Sequence, residues 1–237
     1  MSNQYFAIIP AAGSGRRFGA PLPKQYLPLN GVPLIRHTLQ ALLADRRIAK
    51  VVVVLSPEDQ DWHADCLPSM HADRVVAVRV GGETRAESVF NGINWISKNA
   101  NVDYLDWVLV HDAARPCLSG RQLDSLINLL EEDPVGGLLA IPVADTVKRA
   151  GSADRVETTV DREHLWLAQT PQMFRLGLLQ QALNVVDFNL ATDESAAIEA
   201  LGHAPKLVPG SLSNLKVTYP ADLPLAAAII NSNTATL

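Results

Sequence analysis

The sequence predicts an α/β fold built on a doubly wound, mostly parallel sheet, with a β-hairpin arm projecting from it. Three observations predict this. Short β-branched runs alternate with segments of helical period. Those runs are continuously apolar, as strands buried on both faces of a parallel sheet must be. Residues 143–163 break the rhythm with a polar, alternating stretch around a turn-like "AGSAD".

In chain order, "YFAII" (5–9), "VVVVL" (51–55), "RVVAVRV" (74–80), "WVLVH" (107–111) and "GLLAIPV" (137–143) read as strands. Between them, "PLIRHTLQALLAD" sets Leu34, Ile35, Thr38, Leu39, Leu42 and Leu43 along one stripe of a helix. "TRAESVFNGINWIS" follows the third strand as a second helix. "SGRQLDSLINLLEED" is a third, with Ser119 and Gln122 in capping-box spacing. The alternating stretch 143–163 has too little apolar content to bury a face of its own, so it reads as an arm that packs on a second subunit. "LWLAQTPQ" (165–172) follows with no element assigned, then a helix near 175–185. "TDESAAIEALG" reads as a helix with an acidic first turn, Thr192 being its simplest N-cap. "NLKVT" (214–218) reads as a strand end, and the last helix is entered through Pro220. No linker, repeat or low-complexity segment interrupts 1–237 apart from a polar tail, so one domain is expected.

Composition narrows the function. At 48% hydrophobic and 19% charged, the 237 residues can bury a sizeable core. A net charge of −5 argues against a nucleic-acid binder, which needs a broad basic face. The charge is nevertheless uneven. No Asp or Glu precedes Asp45, whereas Arg16, Arg17, Lys24 and Arg36 all do. A local basic site in an acidic body suits a small anionic ligand. Cys66 and Cys117 make no disulfide framework or CxxC pair, as in a reducing cytosol. The first apolar run is cut by Pro10, and no apolar stretch approaches the roughly 20 residues that span a bilayer, so neither signal peptide nor membrane segment is expected and the location reads as cytoplasmic.

The basic region centres on "PAAGSGRRFGAPLPKQYL" (10–27), which follows the first strand and so falls at the carboxyl edge where α/β sheets bind ligands. Gly13 and Gly15 permit close approach of backbone N–H groups to phosphate. A dinucleotide-binding dehydrogenase fits poorly: the glycines are spaced GxGxxxG, no acid ends the second strand, and no Tyr has a Lys four residues on. The P-loop GxxxxGK[ST] is absent. Nucleotidyl transfer fits better, because it needs an acid-free loop with Arg and Lys against the phosphate under attack. A Gly/Pro-rich surface turn with solvated bases is the bland alternative.

Further stretches add to this. "WVLVH" runs into "DAARP", which brings Asp112 and Arg115 to the same sheet edge, where an acid holds sugar hydroxyls or a hydrated metal, or simply caps a turn. In "GGETRAES", Gly81 and Gly82 let backbone reach a flat base, with Ser88 and the Glu83 backbone reading its edge; a plain turn and helix start is the alternative. Thr146, Lys148 and Arg162 on the two legs of the arm address a second phosphate, or form an ordinary polar hairpin face. Lys216, in an otherwise uncharged strand end, reads as a buried lysine in need of an anion. No GxSxG, HExxH, CxxC pair or EF-hand loop occurs.

Together, "PAAGSGRRFG…PKQYL", "GGETRAESV", "VHDAARP", "DTVKR", "TVDRE.LWLAQTPQ.F", "TDES" and "NLKVT" resemble the 2-C-methyl-D-erythritol 4-phosphate cytidylyltransferase family, in the family's order and over residues 7–225. The resemblance implies a nucleotidyltransferase (Rossmann-like) fold, a homodimer joined through the arm, Mg²⁺, and the reaction of CTP with methylerythritol phosphate to give CDP-methylerythritol and pyrophosphate. It implies that Arg17 and Lys24 stabilise the transition state at the α-phosphate, and that Arg162 and Lys216 position the methylerythritol phosphate. It further implies that Pro10, Ala11, Ala12, Gly13, Ser14, Gly15, Gly82, Glu83, Ser88 and Ala113 hold the CTP. Asp112, Arg115, Thr146, Thr170 and Thr192 would line the acceptor pocket, with arm residues crossing to the partner's site. No protein metal ligand is implied, the ion being held mainly by the CTP phosphates. Family members often carry Asp at the position of Glu83; a backbone contact tolerates that change, and a carboxylate contact would alter base selectivity. The alternatives are a cytidylyltransferase for another polyol phosphate, such as ribitol 5-phosphate, and a non-catalytic nucleotide-binding protein.

Overall fold

Successive strand residues face opposite sides of a sheet, so a strand buried on both sides must be apolar at every position. The computed structural model, which describes residues 3–13 and 22–234, shows this in its central strands. In β1 (Tyr5–Pro10), β4 (Ile48–Val54) and β6 (Trp107–Val110), Ala7, Ile9, Val51, Val53, Trp107 and Leu109 point to one face. There they meet α1 (Leu34–Leu43) and α3 (Gly120–Leu130). Phe6, Ile8, Val52, Val54, Val108 and Val110 point to the other, against α2 (Arg85–Asn99), α4 (Leu176–Val185) and α5 (Glu194–Ala200). That two-sided coverage is the doubly wound α/β architecture the run pattern predicts.

The remaining strands are β2 (Pro28–Leu29) and β3 (Val32–Pro33), a small ladder turned at Asn30–Gly31, together with β5 (Val75–Val78), β7 (Gly136–Pro142), β8 (Val147–Ala150), β9 (Val156–Val160), β10 (Trp166–Arg175) and β11 (Lys206–Pro209). Both turn residues of the small ladder have positive φ (49° and 81°), which an Asn-Gly pair tolerates. Among the described residues the main sheet runs β11-β7-β10-β6-β1-β4-β5, with only β10 antiparallel to its neighbours. The chain moves outward from β1 to β4 and β5, then returns to place β6 on the opposite side of β1. The order reverses there, and a crevice opens beyond the carboxyl ends of β1 and β6. A third core of Leu29, Leu34, Cys117, Val217 and Ala226 seats α6 (Asp222–Thr234) beneath that edge.

The predicted hairpin is present as β8 and β9, paired antiparallel around the "AGSAD" turn. The capping box forms: the Gln122 backbone N–H donates to Ser119 Oγ, and the Gln122 side chain accepts from the Ser119 N–H. Other expectations fail for identifiable reasons. "LWLAQTPQ" runs into β10, the longest strand among the described residues, and supplies its first seven positions; the first residues are exposed and the later ones buried, which blurs any single period. β11 was not anticipated and has only one buried residue, Val208. Residues 214–218 form no strand; the segment is held by single contacts such as Val217 N–H to the Ala114 carbonyl (2.8 Å). The N-cap of α5 is Asp193, which accepts from the Ala196 N–H, so Thr192 lies one residue before the cap. Among the described residues no helix is long and apolar enough to cross a membrane.

Candidate active site

Among the described residues, five chain segments converge on the crevice at the strand-order reversal. They are residues 10–13 after β1, the turn holding Lys24 and Gln25, the 82–88 stretch after β5, the 112–114 turn after β6, and Lys216. They enclose a cavity of about 280 Å³. The loop after β1 is pinned from below. Ala11 N–H donates to the Val54 carbonyl (2.8 Å), and the buried Gln25 amide donates to the Ala11 carbonyl (2.9 Å). Gly81 is a close-approach position: a Cβ there would lie 2.4 Å from Ala12 Cβ and 2.6 Å from the Leu55 carbonyl oxygen.

Asp112 is the electrostatic centre. Its carboxylate receives Lys216 Nζ at 2.8 Å and Arg85 Nε at 3.1 Å, with Arg115 Nε at 3.6 Å. Burial alone would push this carboxyl up; the cations of Arg85, Lys216 and Arg115 overcome that and hold it well below the usual carboxylate range. Arg85 reaches further, making two bonds to the buried Glu194 carboxylate, Nη1 to Oε1 at 2.6 Å and Nη2 to Oε2 at 3.1 Å. The buried Glu194 and Asp112 charges keep Arg85 protonated against its own desolvation.

The backbone of Asp112 is fixed from behind. Its N–H donates to Thr170 Oγ1 (3.0 Å), and Thr170 Oγ1 lies 2.9 Å from His111 Nδ1. His111 Nε2 lies 3.1 Å from the Arg115 carbonyl. A carbonyl only accepts, so Nε2 carries the proton and Nδ1 accepts from the threonine hydroxyl. Burial pushes the imidazole down to about 4, so it is neutral at physiological pH. The 214–217 segment is fastened by Arg115 Nη1 to the Asn214 carbonyl (2.6 Å) and by Lys24 Nζ to the Val217 carbonyl (3.2 Å). Lys24 and Lys216 are thereby brought to one wall of the cavity.

The turn at Gly82 and Glu83 also lines the cavity. Thr84 caps α2 by accepting from the Glu87 N–H (3.1 Å). Ser88 Oγ accepts from the Gly82 N–H (3.1 Å) and donates to the Thr84 carbonyl (2.9 Å). The Glu87 carboxylate accepts from the Glu83 N–H at 2.7 Å.

Of the residues singled out in the sequence, Pro10, Ala11, Ala12, Gly13, Lys24, Gly82, Glu83, Ser88, Asp112, Ala113 and Lys216 line this cavity. Arg115 and Thr170 are buried behind it, where they hold the 112–116 turn. Thr192 is exposed, ahead of α5. Thr146 and Arg162 are exposed on the arm, with Arg162 Nη1 donating to the Ala144 carbonyl across its base. Ser14, Gly15 and Arg17 lie outside the described residues. Lys216 is exposed rather than buried, and the anion it meets is Asp112. That corrects the sequence argument, which inferred burial from the apolar neighbours alone.

Sequence reasoning passed over Arg85, Glu194, Gln25 and His111. Arg85 carried a usable signal. It is the first residue of a helix, where the macrodipole disfavours a cation, so it needs carboxylates nearby. Gln25, between Lys24 and Tyr26, carried none.

The comparisons agree with this geometry. The model of the IspD family, 2-C-methyl-D-erythritol 4-phosphate cytidylyltransferase, matches residues 5–232. A 2-C-methyl-D-erythritol 4-phosphate cytidylyltransferase from Dechloromonas aromatica (strain RCB) is 56% identical over 97% of this chain and 98% of its own. One from Laribacter hongkongensis (strain HLHK9) is 54% identical over 97% of each. The crystal structure of a 4-diphosphocytidyl-2C-methyl-D-erythritol synthase superposes with a TM-score of 0.84 at 38% identity, covering 97% of this chain and 99% of that one. A two-faced sheet, a cationic crevice at its strand-order reversal and near full-length identity make one conclusion: the chain belongs to the 2-C-methyl-D-erythritol 4-phosphate cytidylyltransferase family, whose members are cytidylyltransferases of the non-mevalonate isoprenoid pathway.

Proposed function

We propose that the protein joins CTP to 2-C-methyl-D-erythritol 4-phosphate in the crevice beyond β1 and β6, releasing pyrophosphate. One observation carries the assignment of ends. The cavity lining holds the ammonium groups of Lys24 and Lys216 on one stretch and, on another, the backbone of Gly82 and Glu83 with the Ser88 hydroxyl. Phosphates belong at the first and a flat base at the second.

An acceptor phosphate oxygen, already ionised at neutral pH, attacks the α-phosphorus in line. The Pα–O–Pβ bond breaks, and pyrophosphate leaves with the electron pair. No general base is required. The buried imidazole of His111 fits that chemistry, being neutral and engaged at both nitrogens. Lys24 offsets repulsion between the two anions, and Arg17 stabilises charge on the leaving group. Lys216, oriented by Asp112, faces the acceptor phosphate. Thr170, behind the wall, acts on the acceptor pocket through the Asp112 backbone.

Mg²⁺ is the cofactor implied by the family. Among the described residues no three His, Cys, Asp or Glu side chains converge, and both oxygens of Asp112 are committed to Arg85 and Lys216. With Asp112 so engaged, such an ion would be held mainly by the CTP phosphates, where it would offset their charge.

The proposed assembly is a homodimer in which each arm reaches the partner's crevice. Support comes from the arm itself. Val156 is exposed on it, Trp166 and Leu167 are exposed just after it at the start of β10, and Thr146 and Arg162 stand on it outside the lining of their own chain's cavity.

The test is pyrophosphate release with CTP, Mg²⁺ and methylerythritol phosphate, ribitol 5-phosphate or glucose 1-phosphate, with ATP, GTP and UTP in parallel. Release confined to CTP with methylerythritol phosphate is expected. Release with another acceptor would overturn the acceptor assignment, and tight CTP binding without release from any acceptor would indicate a binding protein.

A further inference from the structure

We infer that Glu87 is a specificity-determining residue that sets which face of a peptide bond the nucleotide base meets; this rests on the reading that the base lies against the Gly82–Glu83 turn. Glu87 is the third residue of α2, and its carboxylate departs from the usual capping box. There, an acid at this position reaches back to the N–H of the cap residue. Here the cap is Thr84, yet Glu87 Oε2 accepts from the N–H of Glu83, one residue earlier, at 2.7 Å. The side chain lies so close over the turn that a Cβ on Gly82 would sit 2.3 Å from Glu87 Cδ. A side chain at 82 would have to displace the Glu87 carboxylate from this position.

The consequence follows from peptide planarity. The Gly82–Glu83 bond is trans, so its carbonyl points opposite to its N–H. With the N–H drawn onto Glu87, which is not part of the cavity lining, the Gly82 carbonyl turns away from that carboxylate. Gly82 and Glu83 themselves line the cavity. Among the described residues no donor reaches the Gly82 carbonyl oxygen. Ser88 Oγ fixes the preceding peptide by accepting the Gly82 N–H, so the turn is held at two successive bonds.

A fixed acceptor on this wall discriminates between pyrimidines. Cytosine offers an exocyclic amine at its 4-position, a donor; uracil offers a carbonyl there, an acceptor. The Gly82 oxygen pairs with the first and repels the second. Without Glu87 the peptide is free to rotate and offer its N–H instead, which suits uracil. The acid at 83 then matters through its backbone, whereas the acid at 87 matters through its carboxylate.

The experiment measures kcat and KM for CTP and for UTP in the intact enzyme and in Glu87→Ala and Glu87→Gln. Hydrogen exchange of residues 81–84 is followed in the wild type with and without CTP. Glu87→Ala should lower the CTP-over-UTP ratio of kcat/KM by roughly tenfold to a hundredfold, the range of one misplaced hydrogen bond, mainly through KM. Glu87→Gln keeps an acceptor and should restore most of the ratio, a rescue that a purely electrostatic effect on the helix end would not give. If Glu87→Ala does not fold, Glu87→Ser, whose hydroxyl is too short to reach the Glu83 N–H, takes its place. An unchanged ratio in the truncated variant, with CTP still protecting residues 81–84, would overturn the inference. No protection by CTP would overturn the seating of the base beneath it.

Discussion

The Arg85 guanidinium and the Glu194 carboxylate meet at 2.6 Å between the first residues of α2 and α5, two helices 109 residues apart in the chain. Each charge sits at a helix N-terminus. The acid is favoured there and the base is not, so Arg85 depends on its partners. Through its Nε it also holds Asp112, so the pair links the start of α2 to the acid that meets Lys216.

Removing Glu194 should therefore do more than loosen α5. Glu194→Ala leaves a mostly buried guanidinium with Asp112 as its remaining carboxylate, and should cost ~3–5 kcal/mol of stability. Arg85 would be drawn fully onto Asp112, competing with Lys216. KM for methylerythritol phosphate should rise more than KM for CTP. Urea unfolding and initial rates with each substrate varied would check both parts, and an equal rise in the two KM values would separate the pair from the acceptor side.

Lys24 offers a sharper kinetic test. Its ammonium is seated on the Val217 carbonyl, at the cationic wall. Lys24→Ala should reduce kcat by ~10²–10⁴-fold, the range of a lost electrostatic stabiliser, with a small change in Tm. Single-turnover formation of the product in the variant would check it, and normal turnover would remove Lys24 from the chemistry.

Much of this was legible in the sequence, and the reasons differ by element. Continuous apolar runs such as "VVVVL" and "WVLV" announce strands buried on both faces, so the centre of the sheet could be read directly. β10 could not, because it begins exposed beside the arm and ends in the core, and no single period describes both halves. The site divides in the same way. Glycines placed just after strands, such as Gly13 after β1 and Gly82 after β5, fall at the carboxyl edge by topology alone. Lys216 could be named but its surroundings could not, since its partner Asp112 is 104 residues away in sequence. His111 looked like the end of a strand, and its role appears only once Thr170 arrives from β10.

His111 gives the protein a defined acid sensitivity. Burial takes its pKa from an ordinary 6.5 down to about 4. Between those values the unfolded chain binds a proton that the folded chain excludes. Stability is therefore complete above pH 6.5 and is lost as pH falls toward 4, by ~3 kcal/mol in all. Asp112, whose pKa is depressed, contributes stability above the ordinary carboxylate range that is lost only at lower pH still. Urea unfolding at intervals from pH 7.5 to 4.5 should show the decline. His111→Gln, which cannot titrate, should flatten it within that window.

Gly81 tests whether the loop after β1 tolerates displacement. Gly81→Ala would press a methyl group against Ala12 and the Leu55 carbonyl, at 2.4 and 2.6 Å, and one of them must shift. The expected cost is ~1–3 kcal/mol of stability. Because Ala12 lines the cavity, KM for CTP should rise as well. A variant as stable and active as the wild type would mean that the loop gives way freely.

The arm yields the most decisive test of the assembly. Thr146 and Arg162 are exposed and outside the lining of their own chain's cavity, whereas Lys24 is part of that lining. If each arm serves the partner's crevice, Lys24→Ala and Arg162→Ala damage sites made from different pairs of chains. A hybrid dimer then has one site with both defects and one with neither. Each variant alone should be nearly inactive. Unfolding and refolding an equimolar mixture should restore about a quarter of wild-type activity, because half the dimers are hybrids with one intact site of two. If the arm instead serves its own chain, every site in the mixture carries one lesion and no activity returns. Size-exclusion chromatography of the same mixture must show dimers for the comparison to hold. Restoration would then identify the exposed hairpin as part of a neighbour's active site, which is why it needs so little apolar surface of its own.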